Sequence, residues 1–109
     1  MNETAEKTET RAARIEQIRG AMRTASVKFR SGEDSEGIDS LLFAVSALES
    51  FVEDDQASRR PEIDLKRLLP AVRTLCFLIW NRDIAGIADL LEDTLYPMTG
   101  EWTKGCRCP

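Results

Sequence analysis

The chain has 109 residues, 42% of them hydrophobic, with six glycines, four prolines, three cysteines and no histidine. That length supports one domain around a single core and leaves no room for two. The net charge of −4 is unevenly spread: residues 1–30 hold seven Lys/Arg and four Glu, residues 31–64 two and ten acids, residues 65–109 six and five.

Low glycine and proline content, abundant aliphatic and alanine residues and no alternating apolar/polar run point to helices rather than strands. No apolar stretch approaches the roughly 20 residues of a membrane span. The opening MNETAEKTET is polar and carries acids, unlike a signal or transit sequence, so a cytoplasmic location is expected. Residues 1–10 read as a frayed lead-in, too polar to bury anything.

The first helix carries Ile15, Ile18, Met22, Ala25 and Phe29 at steps of three and four, which keeps them on one face. Gly20 inside it costs about 1 kcal/mol relative to alanine, so either a neighbour packs closely there or the helix is locally weak. The cations Arg11, Arg14, Arg19, Arg23, Lys28 and Arg30 form a basic stripe that could meet nucleic-acid phosphates. Interleaved Glu9 and Glu16 and the low isoelectric point favour pairing with the acidic second segment instead.

Ser31-Gly32 ends this helix, and Asp34 or Ser35 is the expected cap of the next. The second helix aligns Ile38, Leu41, Val45, Leu48 and Val52, broadened by Leu42, Phe43, Ala44 and Phe51. It closes on Glu53-Asp54-Asp55, acids placed poorly at the negative end of a helix dipole. Pro61 suits the first turn of a third helix.

From Leu65 the stripe Leu65, Leu68, Val72, Leu75 and Ile79 continues, and the run LCFLIW is apolar nearly all round, which predicts a central helix covered on several sides. Cys76 is expected as a buried, inert thiol. Asn81-Arg82-Asp83 reads as a tight turn with Asp83 capping a fourth helix, whose apolar positions are Ile84, Ile87, Ala88, Leu91, Leu95, Met98 and Trp102. The apolar phase runs through both Pro70 and Pro97, which predicts a kink at each rather than a break. The sum is an all-α, antiparallel up-down four-helix bundle forming one domain over residues 1–109.

The chemistry-bearing residues are few. Gly105-Cys106-Arg107-Cys108-Pro109 ends the chain, and a thiolate pair at that spacing can bind a soft metal or cycle through a disulfide. A closed zinc site needs four ligands, so the residues from 103 onward are read as a flexible tail, no metal or other cofactor is called, and a metal- or redox-responsive regulator is the alternative function. The acids Glu49, Glu53, Asp89, Glu92 and Asp93 fall between or opposite the apolar positions and read as a wet face. With no phosphate loop, nucleophile elbow or histidine base, the chain is not expected to be an enzyme. The surplus apolar arc of helices two and three instead nominates Phe43, Ala47, Phe77 and Trp80, with Trp102, as a surface for another protein or a second copy.

The order of an acidic loop, the helix GIDSLLFAVSALESFVE, a leucine-rich helix and NRDIAGIADLLEDTLYPMTGEW resembles the flagellar export chaperone of flagellin over roughly residues 35–102. That family holds an unpolymerised filament subunit along the hydrophobic grooves of an antiparallel four-helix bundle. The resemblance implies a bacterial chaperone or adaptor of motility or secretion whose groove takes an amphipathic helix. Pro70, Pro97 and the Cys-x-Cys end depart from that pattern.

Overall fold

A computed structural model describes residues 10–104, and among them every element is helical. Helix α1 spans Arg11–Arg30, α2 Asp34–Ala57 and α3 Leu65–Trp80. The last rod is continuous but changes pitch: α4 Ile84–Leu90, a π-helical turn Leu91–Leu95, then α5 Tyr96–Lys104. The lead-in at residues 1–9 and Cys106 and Cys108 lie outside the described residues.

Local chemistry sets these boundaries. Thr10 caps α1 by accepting the Ala13 amide at 3.0 Å, and Asp64 and Asp83 cap α3 and α4 by accepting the amides of Lys66 and Gly86 at 2.9 Å each. The third helix thus begins four residues past Pro61, because the cap is Asp64. Helix α2 has no side-chain cap at all: Glu33 occupies that position, and its carboxylate and that of Glu36 reach Lys28 instead of a free amide.

The two hairpin turns are built alike. At Ser31-Gly32-Glu33 the amide of Gly32 donates to Phe29 and that of Glu33 to Lys28; at Asn81-Arg82-Asp83 the amide of Arg82 donates to Ile79 and that of Asp83 to Leu78. Each is a Schellman closure, which needs a left-handed residue just past the helix. Gly32 supplies it at φ 81°, and Arg82 is forced into it at φ 55°.

Helix α1 is the hub. Arg11 pairs with Asp55 and Arg14 with Asp54, while Lys28 meets Glu33 and Glu36 at the other end, so α1 and α2 run antiparallel. On its other flank Arg30 pairs with Asp89 and Glu92, and Arg19 donates to the Tyr96 carbonyl, which sets the last rod antiparallel as well. The expected pairing of the basic first segment with the acidic second one is present through Arg11, Arg14 and Lys28, whereas Arg30 pairs with acids of the last rod.

All five positions predicted for the first helix, Ile15, Ile18, Met22, Ala25 and Phe29, are buried. They meet Leu41, Ala44, Leu48 and Phe51 of α2 and Ile87, Leu91, Leu95 and Met98 of the last rod in one apolar cluster. Helix α3 contributes only Leu68, Ala71 and Leu75. The expectation of a central third helix is thus corrected: it packs chiefly against α4, and neither α1 nor α2 lies close along it. Cys76 is likewise exposed rather than buried, since it points away from the α4 side.

Proline is accommodated differently at its two sites. Pro70 lies inside the helix α3. Pro97, which has no amide to give, stands two residues past the π turn, where the Tyr96 amide reaches back five residues to Leu91. Beyond it Met98, Thr99 and Trp102 return to the core.

Candidate protein-binding face

Because α1 holds α2 on one flank and the last rod on the other, and α3 packs chiefly along α4, the side between α2 and α3 is left unclosed. Helical phase and contacts agree on which residues border it. On α3, Leu78 lies toward Gly86 of α4, which turns Leu65, Leu69, Val72, Cys76 and Trp80 to the other side. On α2, Phe43 borders a shallow depression with Gly20, Ala21 and Thr24 of α1, which turns Ile38, Leu42, Val45, Glu49 and Val52 toward α3.

Along this seam Ile38, Val45 and Val52 of α2 and Leu65, Val72 and Ile79 of α3 are half-buried. The rims are more open: Leu42 is 58% exposed, Leu69 46%, Phe77 66% and Trp80 86%. At the hairpin end the seam widens into a depression of about 440 Å³ lined by Asp34, Ile38, Ile79, Arg82, Ile84 and Ile87. An exposed tryptophan and exposed aliphatic side chains at helical spacing make this rim apolar.

Charge borders the apolar strip in two separate columns. Helix α2 carries seven acids and no cation; α3 carries Lys66, Arg67 and Arg73 and no acid. Beside the seam stand Glu49 and Glu53 on one rim and Lys66 and Arg73 on the other, all exposed. Every ion pair among the described residues lies elsewhere.

The five residues nominated from sequence do not share one surface. Phe77 and Trp80 stand on the outer side of α3, whereas Phe43 and the half-buried Ala47 lie on the α1 side of α2. Trp102 is in the core, its ring stacked on Phe51 with centroids 6.0 Å apart. In the sequence Leu42, Leu69 and Cys76 read as part of the apolar arcs and not as binding residues, although a run that is apolar all round on a 16-residue helix is equally the mark of a face left uncovered.

Two polar clusters lie outside the seam, and in each a carboxylate is held by several donors. Ser26 donates to Glu92, which also takes Arg30 at 2.9 Å, and these bonds, led by that from Arg30, hold the Glu92 carboxyl down to about 2. They border a depression of about 230 Å³ with Met22, Leu91 and Tyr96. At the far end Asp55 takes the amides of Glu62 and Ile63 and the Arg11 guanidinium. Burial alone would raise its carboxyl, but those amides and Arg11 hold it below the usual range. Among the described residues no three acidic or cysteine side chains gather as for a metal ion, and no helix is long and apolar enough to cross a membrane.

Compared with known protein families, with curated proteins and with solved structures, the chain matches none.

Proposed function

We propose that this protein is a non-catalytic docking module: an up-down helical bundle, open between α2 and α3, that receives another protein chain on the strip around Leu42, Leu69 and Trp80. The observation that carries this reading is Trp80, 86% exposed, with Phe77 exposed one turn before it and Leu69 exposed about three turns back on the same helix. Leaving that much apolar area in water is unfavourable by about 25 cal/mol per Å² and is rare without a partner. The bend read at Pro70 would set how far α3 stands from α2, and that at Pro97 how the end of the last rod meets α1. With the resemblance to flagellin export chaperones, the role is that of a cytoplasmic chaperone or adaptor in bacterial motility or secretion, accepting an amphipathic helix in the seam.

The test is a capture experiment with the purified protein as bait and the Trp80→Ser, Leu69→Ser double variant as control. A partner, or a second copy, retained by the parent and lost by the double variant at unchanged thermal stability is expected. Equal retention by both, or no association of any kind, would sink the proposal.

A further inference from the structure

The seam is complementary to itself, and from that we infer that its occupant is a second copy of this chain, related by a twofold axis running along the helices. The inference rests on the docking reading above and adds the partner and the geometry.

Phase comes first. At 3.6 residues per turn, Leu42, Glu49 and Glu53 fall within about 40° on α2, and Lys66, Leu69, Arg73 and Trp80 within about 60° on α3, so each rim is one narrow ridge. Level comes next. Ile38 lies by Ile79 at one end and Asp55 takes the Ile63 amide at the other, so Leu42 is level with Cys76, and Lys66 is level with the gap between Glu49 and Glu53. The face is therefore oily toward the hairpin end, at Leu42, Cys76 and Trp80, and carries its charges toward the other, acids on the α2 ridge and bases on the α3 ridge with Leu69 between Arg73 and Lys66.

Two such faces can meet about a twofold axis in only two principal ways. With the axis across the helices, α2 lies on the partner's α2 in reverse. Leu42 then covers the partner's Glu49, and Arg73 meets the partner's Arg73. That arrangement desolvates carboxylates without a counter-ion and apposes like charges. With the axis along the helices, levels are kept and the ridges exchange. Lys66 enters between the partner's Glu49 and the partner's Glu53, Arg73 reaches the partner's Glu49, Leu69 lies level with that carboxylate between its two counter-ions, and Leu42 and Trp80 close over the partner's apolar end.

The absence of any ion pair across the seam, among the described residues, leaves all four charges free for this use. The footprint is small. Helix α3 is 16 residues, about 24 Å, long, and two helices abreast are about 20 Å wide. That flat footprint of about 480 Å², enlarged by side-chain corrugation, falls among the smaller specific interfaces, below the roughly 800 Å² per partner of a standard one.

Sedimentation velocity over a concentration series, with far-ultraviolet dichroism to confirm folding, tests this. The parent should be a concentration-dependent dimer. Glu49→Lys/Glu53→Lys and Lys66→Glu/Arg73→Glu should each weaken it at least tenfold, and an equimolar mixture of the two variants should pair again, because each then offers one sign on both ridges. A parent that stays monomeric to about 100 µM, above the Kd of most functional dimers, would overturn the second-copy inference; if Trp80-dependent capture of a different protein persisted, the docking reading would stand without it. A dimer indifferent to Trp80→Ser and to both charge sets would overturn the placement, as would two monomeric variants that fail to combine.

Discussion

Asp55 carries a larger share of the stability than its position in an acidic run suggests, and its replacement by alanine measures that share. Its side chain is 1% exposed and accepts the Ile63 amide at 3.0 Å, the Glu62 amide at 3.1 Å and Arg11 at 3.2 Å. Removing the carboxylate orphans the buried Ile63 amide, which costs about 1–3 kcal/mol, while water replaces the contact to exposed Glu62. The Arg11 pair, a third open to solvent, adds about 1 kcal/mol after screening. The total of about 3 kcal/mol corresponds to a fall in Tm of about 10–20 °C for a domain of this size. Asp55→Asn, which keeps an acceptor for Ile63, should lose about half as much. The carboxyl is depressed in the folded state, so its contribution is complete above the unfolded value near 3.9 and is lost as pH falls through the folded value. Denaturation followed by dichroism from pH 7 to pH 2.5 should therefore show the gap between parent and Asp55→Asn narrowing below about pH 4. A loss under about 0.5 kcal/mol in Asp55→Ala, or a gap that does not change with pH, would refute the assignment of Asp55 as the clip between α2 and α3.

Gly20 and Gly37 should respond oppositely to alanine. A methyl group at Gly20 meets nothing within 4 Å and should stabilise α1 by about 0.5–1 kcal/mol, whereas at Gly37 it falls 2.5 Å from the Phe29 ring and should destabilise by about 1–3 kcal/mol, both read by thermal melting. Arg82→Gly should raise stability by about 1 kcal/mol, since φ 55° costs an L-residue about that much; a lower Tm would show that the arginine side chain outweighs the backbone strain. With Cys106 and Cys108 replaced by serine, Cys76 should react with a thiol reagent in the native protein at a rate close to that in denaturant, because it is exposed; strong protection under monomeric conditions would contradict its placement.

The helices themselves were written plainly in the chain. Positions Ile15 to Phe29 repeat at three and four and all are buried, and Asp83 caps where an aspartate before an apolar run should. The α2 start was harder: Asp34 and Ser35 look like caps, yet the Schellman closure at Gly32 places Glu33 at the cap position and Lys28 draws its carboxylate away. Asp55 was illegible for a related reason. An acid at a helix C-terminus is unfavourable by dipole alone, and only the return of Glu62, Ile63 and Arg11 in space supplies the donors that reverse the sign.

The site was half legible, and the missing half is topological. Hydropathy reports how much of a helix avoids water, not how many neighbours are present to receive it. LCFLIW therefore predicts coverage on every side, while the chain provides α3 with one close neighbour. The hub could have been inferred from charge: α1 alone offers cations on both flanks, to Asp54 and Asp55 on one and to Asp89 and Glu92 on the other. An element so paired takes the centre, and the element whose cations find few acids, α3, is left at the edge. Its oily outer ridge and its unmatched Lys66 and Arg73 are then two consequences of one fact, the missing neighbour, and the acidic ridge of α2 across the seam has the sign and level of what is missing.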